Sequence, residues 1–287
     1  SVWVVFNGEI YNYQELRRAL IHRGHRLQTT GDTETIVHLY QEFGPACVDH
    51  LRGMFSFAIW DTAQRQLLLA RDRLGIKPLY CVELPHGLAF ASELKPLLQL
   101  PEVGRDLSWE ALRHLVTFMA TPSAQSIVKG VRKLEPGRVA TICAVGDMRV
   151  HRYWDVEFQP DEQASERDLI DELRDLLCES VKLHEVSDVP IGAFLSGGID
   201  SSAVVATMAS MRSEPVKTFS IGFTETEYDE LRHARNVAET FATEHHELVL
   251  RPDVVDLAED LAWFLDEPFG DTSAIPTYMV SKLAAEH

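Results

Sequence analysis

The chain has 287 residues, 45% of them hydrophobic, which is enough to bury one or two cores. Its 27 basic against 44 acidic residues leave a formal charge of −17, which argues against nucleic acid or an anionic membrane as a partner. No apolar run approaches the roughly 18 residues of a membrane span, no signal peptide is visible, and Cys47, Cys81, Cys143 and Cys178 form no C-x-x-C pair, so a reducing cytoplasm is expected.

The first half reads as strands with two helices near its start. Val2-Trp3-Val4-Val5-Phe6 is strand-like and runs into Asn7-Gly8-Glu9-Ile10-Tyr11-Asn12. Residues 13–23 predict a helix with Leu16, Leu20 and Ile21 on one face. Gly31-Asp32-Thr33-Glu34 opens a second, in which Ile36, Leu39, Tyr40 and Phe43 keep helical spacing and Asp32 is the candidate N-cap. Residues 55–60 and 67–70 predict a hairpin, and residues 79–83 and 88–91 another. A helix over 109–119 and strands over 138–143 and 149–154 follow, with Arg132-Lys133 read as an exposed turn.

The texture changes at Phe158-Gln159-Pro160-Asp161-Glu162-Gln163, a polar, turn-forming stretch that reads as a linker. Ser165-Glu166-Arg167-Asp168 matches a capping box ahead of a helix carrying Leu169, Leu173, Leu176 and Leu177. Strands and helices then alternate: 190–195 before a helix at Ser202, 216–222 before a helix over 229–241, 247–250 before a helix from Pro252. That alternation predicts a parallel α/β sheet with ligands at the carboxyl ends of its strands. His245-His246 lacks metal-ligand spacing and reads as a polar strand start. The chain opens inside a strand without an initiator Met and stops inside a helical pattern, so a fragment is expected.

Leu195-Ser196-Gly197-Gly198-Ile199-Asp200-Ser201-Ser202 carries the densest chemistry. A strand, a diglycine turn and a helix start gather free backbone N–H groups at one point, with the helix dipole aimed at it. Ser196, Ser201 and Ser202 add hydroxyls. Asp200 beside a phosphate calls for a divalent cation between them. No Walker G-x-x-x-x-G-K-[ST] loop occurs, and the plain alternative is a serine- and glycine-rich turn with an Asp near the N-cap.

S-G-G-x-D-S resembles the pyrophosphate loop of ATP pyrophosphatases. N-G-E-I-Y-N, G-D-T-E, G-M-F-S-F-A-I-W-D, R-D-R-L-G-I-K-P-L-Y and A-S-E-L-K, in that order, resemble the glutaminase domain of glutamine-dependent asparagine synthetases. The resemblance implies an α+β glutaminase domain of the Ntn-hydrolase type, an αββα sandwich, over 1–154. After a linker over 155–164 it implies an α/β ATP-pyrophosphatase domain with a parallel sheet, adenine nucleotide α-hydrolase-like, over 165–287. The activity implied is a ligase that amidates aspartate through an acyl-adenylate, with ammonia from glutamine, releasing AMP, pyrophosphate and glutamate.

By the same resemblance Asn7 and Gly8 form an oxyanion hole, and Glu9 and Asp32 join them in binding glutamine, the two carboxylates holding its amino-acid head group. Leu195 and Ile221 contact adenosine, residues 196–202 (Ser196, Gly197, Gly198, Ile199, Asp200, Ser201, Ser202) hold the pyrophosphate, and Asp200 ligates Mg2+. The substrates implied are glutamine, aspartate and ATP, in a homodimer. The family's nucleophile is an N-terminal cysteine, and position 1 is Ser. The chain alone is therefore expected to bind ATP weakly, release no ammonia from glutamine and make no asparagine. Asp266-Glu267-Pro268-Phe269-Gly270-Asp271-Thr272-Ser273 reads either as part of an acceptor pocket or as an acidic helix-end loop. It lacks the arginine that asparagine-forming members often carry there. A related amidotransferase or β-lactam-synthetase-like enzyme acting on another carboxylate is the second reading, and a non-catalytic homologue the third.

Overall fold

The computed structural model describes residues 1–144, 146–223, 230–250 and 254–287, with residues 254–256 as backbone alone. The chain forms two compact units: Ser1–Phe158 with Leu265–Gly270, and Gln159–Phe264 with Asp271–His287.

The first unit contains β1 (Val2–Ile10), α1 (Tyr13–His22), α2 (Asp32–Phe43), a 3₁₀ segment (Gly44–His50), β2 (Gly53–Asp61) and β3 (Gln66–Arg71). It continues with β4 (Tyr80–Leu84), β5 (Gly87–Ala91), α3 (Leu94–Leu97), α4 (Trp109–Phe118), β6 (Arg132–Lys133), β7 (Arg138–Cys143) and β8 (Met148–Arg152). An antiparallel sheet has the order β1-β2-β3-β7-β8, and a smaller one the order β5-β4-β6.

Strand alternation divides the large sheet into two faces. Phe55, Phe57, Ile59, Leu68, Ala70 and Val139 point toward α1 and α2, where Leu20, Ile36, Leu39 and Tyr40 complete a core. The residues between them, Ala58, Leu69 and Ala140, pack instead against Leu79, Leu134, Leu88 and Phe90 of the small-sheet layer. On β1 the same rule sends Val2, Val4 and Phe6 to the helix side. Trp3, Val5 and Asn7 are left exposed on the face that the small sheet shares. That is the face on which the first candidate site lies.

The second unit contains α5 (Glu166–His184), β9 (Gly192–Phe194), α6 (Ile199–Met211), β10 (Lys217–Phe223), α7 (Leu231–Thr240), β11 (Glu244–Leu250), α8 (Val254–Leu265) and α9 (Ala274–Ala285), except that Leu265 belongs to the first unit. The strands form a parallel sheet, order β11-β10-β9, as the alternation predicts. Leu195, Val205, Met208, Val216, Ala234 and Ala238 make its core on one face, while Phe219, Val280 and Leu283 pack on the other. Ser165 caps α5, accepting the Asp168 N–H at 3.2 Å.

Four expectations change. The helix after the diglycine turn begins at Ile199, with Gly198 as its N-cap, so Ile199, Asp200 and Ser201 are its first turn rather than loop. Gly31, not Asp32, is the N-cap residue of α2. Arg132-Lys133 is a short strand, not a turn, because its backbone pairs with Tyr80 and Cys81 of β4. The predicted strand over 149–154 is β8, which ends at Arg152. The predicted starts of two helices, at Asp229 and Pro252, lie outside the described residues. No helix among the described residues is long and apolar enough to cross a membrane.

Candidate functional site

The second half of β1 carries Asn7, Gly8 and Glu9. Asn7 lies opposite Ser56 of β2 and lines a pocket of about 400 Å³ with Ser56, Leu79, Phe90, Ala91 and Ser92. One wall is therefore the β1–β2 ladder and the other the small-sheet layer. Gly8 sits at φ +150°, and a Cβ there would stand 2.1 Å from the Met54 carbonyl oxygen. Only glycine lets the two strands close at this point.

Asp32 is brought to the same place by a long-range bond. Its Oδ2 accepts the Ile10 N–H at 3.0 Å, and Thr33 Oγ1 donates to Oδ1 at 3.3 Å. The carboxylate thus fastens the start of α2 to the residue after Glu9. Asn12 ties down the far side of the turn, donating to the His50 carbonyl at 3.0 Å and accepting the Arg52 N–H at 3.0 Å. The four residues that the motifs single out here, Asn7, Gly8, Glu9 and Asp32, all fall at one end of β1.

Glu34 braces the approach to Asp32. It accepts the Gln28 N–H at 2.7 Å, the Thr29 N–H at 2.6 Å and the Thr29 hydroxyl at 2.7 Å. Burial pushes its carboxyl up, but these hydrogen bonds and nearby His38 outweigh it and bring the pKa down to about 2.

Motif reading missed the organiser of the R-D-R-L-G-I-K-P segment. The Asp72 carboxylate is buried and accepts the N–H groups of Phe55, Leu74, Ile76 and Lys77 at 2.9–3.1 Å. The Arg71 guanidinium donates to the carbonyls of Lys77, Gly75 and Leu134 at 2.7–2.8 Å, and burial pushes its pKa down. Phe55 is the β2 partner of Gly8, so Asp72 also holds the strand behind that glycine. An Asp followed by a Gly-containing turn was the available signal.

The second site lies at the carboxyl end of β9. The Leu195 N–H donates to the Phe219 carbonyl at 2.9 Å, extending the parallel ladder by one residue, and the Ser220 hydroxyl donates to the Leu195 carbonyl. Leu195 is 2% exposed, with its side chain in the core and both of its backbone polar groups already bonded. Beyond it the chain turns through Gly197 at φ +76°, where a Cβ would stand 2.5 Å from His233 Cβ and 2.6 Å from the Ala234 nitrogen.

Serines hold the turn open. Ser196 Oγ accepts the Gly198 N–H at 3.2 Å and shares a 2.9 Å hydrogen bond with Ser201 Oγ, which donates to the Gly198 carbonyl at 3.2 Å. The Ser202 N–H is the first to find a helical acceptor, the Gly198 carbonyl at 3.0 Å. The N–H groups of Ile199, Asp200 and Ser201 precede it and point out of the helix end, beside the exposed Asp200 carboxylate. Ile221 lies near the carboxyl end of β10 and packs on the α9 side of the sheet. His245 sits within β11, where Thr218 Oγ1 at 2.8 Å and Glu247 at 3.1 Å engage its ring. Among the described residues no group of three or more His, Cys, Asp or Glu could hold a metal ion.

Residues 1–154 match the glutamine amidotransferase domain family, and residues 172–287 match the asparagine synthase family. The chain is 38% identical over 288 residues to asparagine synthetase [glutamine-hydrolyzing] 1 of Bacillus subtilis, covering 100% of this chain and 45% of that protein. It is 38% identical over 291 residues to putative asparagine synthetase [glutamine-hydrolyzing] 2 of Methanocaldococcus jannaschii, covering 99% and 55%. It is 39% identical over 292 residues to the putative asparagine synthetase [glutamine-hydrolyzing] of Mycobacterium tuberculosis, covering 99% and 45%. The chain thus spans about half the length of these relatives. A solved structure, the glutamine phosphoribosylpyrophosphate amidotransferase from B. subtilis, aligns at 15% identity and a TM-score of 0.37 over 90% of this chain and 50% of that one, a likeness that carries no argument. With an amidotransferase domain followed by a synthetase domain, in the order of these relatives, the chain belongs to the glutamine-hydrolysing asparagine synthetase family.

Proposed function

We propose that this protein is a glutamine-dependent carbon–nitrogen ligase that makes asparagine from aspartate, ATP and glutamine in the cytoplasm. The domain organisation that fits is a glutamine amidotransferase type 2 domain, an αββα Ntn-type sandwich, over 1–154. A linker over 155–164 and an ATP-pyrophosphatase domain from 165 follow. A homodimer fits the family.

In the first half Glu9 and Asp32 bind the α-ammonium of glutamine, since two carboxylates complement one cation. Asn7 donates its side-chain amide, and Gly8 its N–H, to the oxyanion that forms when the glutamine amide is attacked by a cysteine thiolate. Donors of this kind are worth about 3 kcal/mol each in the transition state. Ammonia leaves, and water then frees glutamate.

In the second half the turn from Gly197 to Ser202 cradles the pyrophosphate of ATP, with the N–H groups of Ile199, Asp200 and Ser201 and the Ser196 and Ser201 hydroxyls facing it. Leu195, at the end of β9, and Ile221 border the adenosine. Aspartate attacks the α-phosphorus, pyrophosphate leaves, and ammonia displaces AMP from the acyl-adenylate. The exposed Asp200 carboxylate beside these donors would hold a hard cation, and magnesium there would supply positive charge to offset that on the departing pyrophosphate.

The observation that carries the reading is the serine-braced diglycine turn, with Gly197 at φ +76°, opening α6 at the carboxyl end of a parallel strand. Isotope exchange between ATP and pyrophosphate, measured on the full-length protein with a panel of carboxylic acids, tests it: exchange that depends on aspartate supports it. Beyond the two carboxylates Asp266 and Glu267, which bond to the first unit, residues 268–273 contain no arginine, which favours a second reading, amidation of another carboxylate. Exchange driven by another acid and not by aspartate selects that reading, and exchange with no acid at all removes both.

A further inference from the structure

We infer that Asp266 and Glu267, which lie within the synthetase-family match, are positioning residues for the pocket beside Asn7; the inference rests on the glutaminase reading above. Residues 265–270 belong to the first unit, and their side chains are spent on it. Asp266 takes φ +65°, a conformation that Asp tolerates better than most residues. Its carboxylate, 7% exposed, accepts the N–H of Leu94, the N–H of Lys95 at 3.1 Å and the Lys95 ammonium at 3.0 Å.

Glu267 is gripped by more donors. The Ile127 N–H reaches it at 2.8 Å, the Lys133 ammonium at 3.0 Å, and the Tyr80 and Thr121 hydroxyls at 3.2 Å. Burial raises its pKa, but the Ile127 N–H and the Lys133 charge outweigh this, so the carboxyl ends below its ordinary value. The Gly270 N–H closes the segment on the Met119 carbonyl at 3.0 Å.

These partners are the scaffold of one pocket wall. Tyr80 pairs with Ala91 across β4 and β5, and with Lys133 across β4 and β6. Leu94 opens α3 two residues after Ser92. Leu79, Ala91 and Ser92 line the 400 Å³ pocket with Asn7. The opposite wall, β1 and β2, is fixed by its own ladder, so what Asp266 and Glu267 set is the spacing between Asn7 and the wall facing it. A buried carboxylate with this many donors leaves each of them unsatisfied when it is removed.

The test measures ammonia release from glutamine without ATP, and ammonium-driven pyrophosphate release with ATP, on full-length wild type, Asp266→Asn, Asp266→Ala, Glu267→Gln and Glu267→Ala. A displaced wall misplaces the reacting amide while Glu9 and Asp32 still hold the head group. The expected result is therefore a glutaminase kcat lowered about tenfold in the Ala variants, less in Asn and Gln, with KM for glutamine within about twofold. Ammonium-driven pyrophosphate release stays at the wild-type level. Unchanged glutaminase, or a parallel loss of both activities in variants with wild-type melting temperatures, overturns the inference. If the Ala variants fail to fold, the Asn and Gln variants decide by the same criteria. A wild-type protein that releases no ammonia from glutamine sinks the functional reading itself, an outcome distinct from the others.

Discussion

Phe55 gives both of its backbone polar groups to Asp72: its N–H to the carboxylate at 3.1 Å, and its carbonyl to the Asp72 N–H at 2.8 Å. Because Phe55 faces Gly8 across the β1–β2 ladder, the R-D-R-L-G-I-K-P segment and the candidate oxyanion site share one support. Asp72→Ala leaves several buried N–H groups unpaired and is expected to cost about 3 kcal/mol or more of stability. Asp72→Asn, which keeps one acceptor, costs less. Urea denaturation of the two variants, followed by aromatic fluorescence, gives the comparison, and equal midpoints for wild type and Asp72→Ala contradict it.

Gly8→Ala places a methyl group 2.1 Å from the Met54 carbonyl oxygen. The strands must part there, so glutaminase activity at full length is expected to fall about 100-fold or more, as on loss of an oxyanion donor. Ammonium-driven synthesis, which does not use this site, serves as the internal control. Near-normal ammonia release from the variant removes Gly8 from the site.

Gly197→Ala meets two obstacles at once, φ +76° and the His233 backbone and Cβ within 2.6 Å. ATP–pyrophosphate exchange is expected to be lost, while ammonia release from glutamine persists. Asp200→Asn leaves the turn intact and removes only charge. It is expected to raise the magnesium concentration needed for half-maximal exchange about tenfold. Exchange assays on Gly197→Ala, and a magnesium titration of the exchange rate of Asp200→Asn against wild type, check the pair.

Glu34 makes the first unit sensitive to acid. Its pKa is about 2 in the fold against an ordinary 4.5, so the ionised carboxylate is the form the fold favours. The stabilisation is fully present above about pH 4.5 and fades as pH falls toward about 2. Melting curves of wild type and Glu34→Gln from pH 7 to pH 2 are expected to differ at the neutral end and converge at the acid end. Curves that stay parallel across the range remove Glu34 as the cause. Since Glu34 holds Gln28 and Thr29 ahead of Asp32, the variant also raises KM for glutamine in the full-length protein.

Local patterns revealed most of the framework. The apolar strand run of β1, the helical spacing of Ile36, Leu39 and Tyr40, and the Ser165 cap can be read within a few residues of chain, and the structure keeps each of them. What local patterns hid was long-range. Asp32 resembles a cap residue because its true partner, the Ile10 N–H, lies 22 positions away. The Arg71 guanidinium reaches the Leu134 carbonyl 63 positions on, and Lys133 reaches Glu267 across 134. β6 and α3, of 2 and 4 residues, are too short to show a period. The start of α6 was blurred for another reason: Ile199 and Asp200 read as loop because they share one motif with the diglycine turn, yet they form the first turn of the helix and present their N–H groups at its end.

A gene cut at the polar stretch near residue 158 would divide the polypeptide where its composition changes, yet the amino-terminal product would lack residues 265–270. Lys133, Tyr80, Thr121 and the Ile127 amide would then surround a hole where a carboxylate belongs. Expressed alone, that piece should melt earlier than the same piece in the parent, and adding the missing hexapeptide as a separate peptide should recover part of the difference.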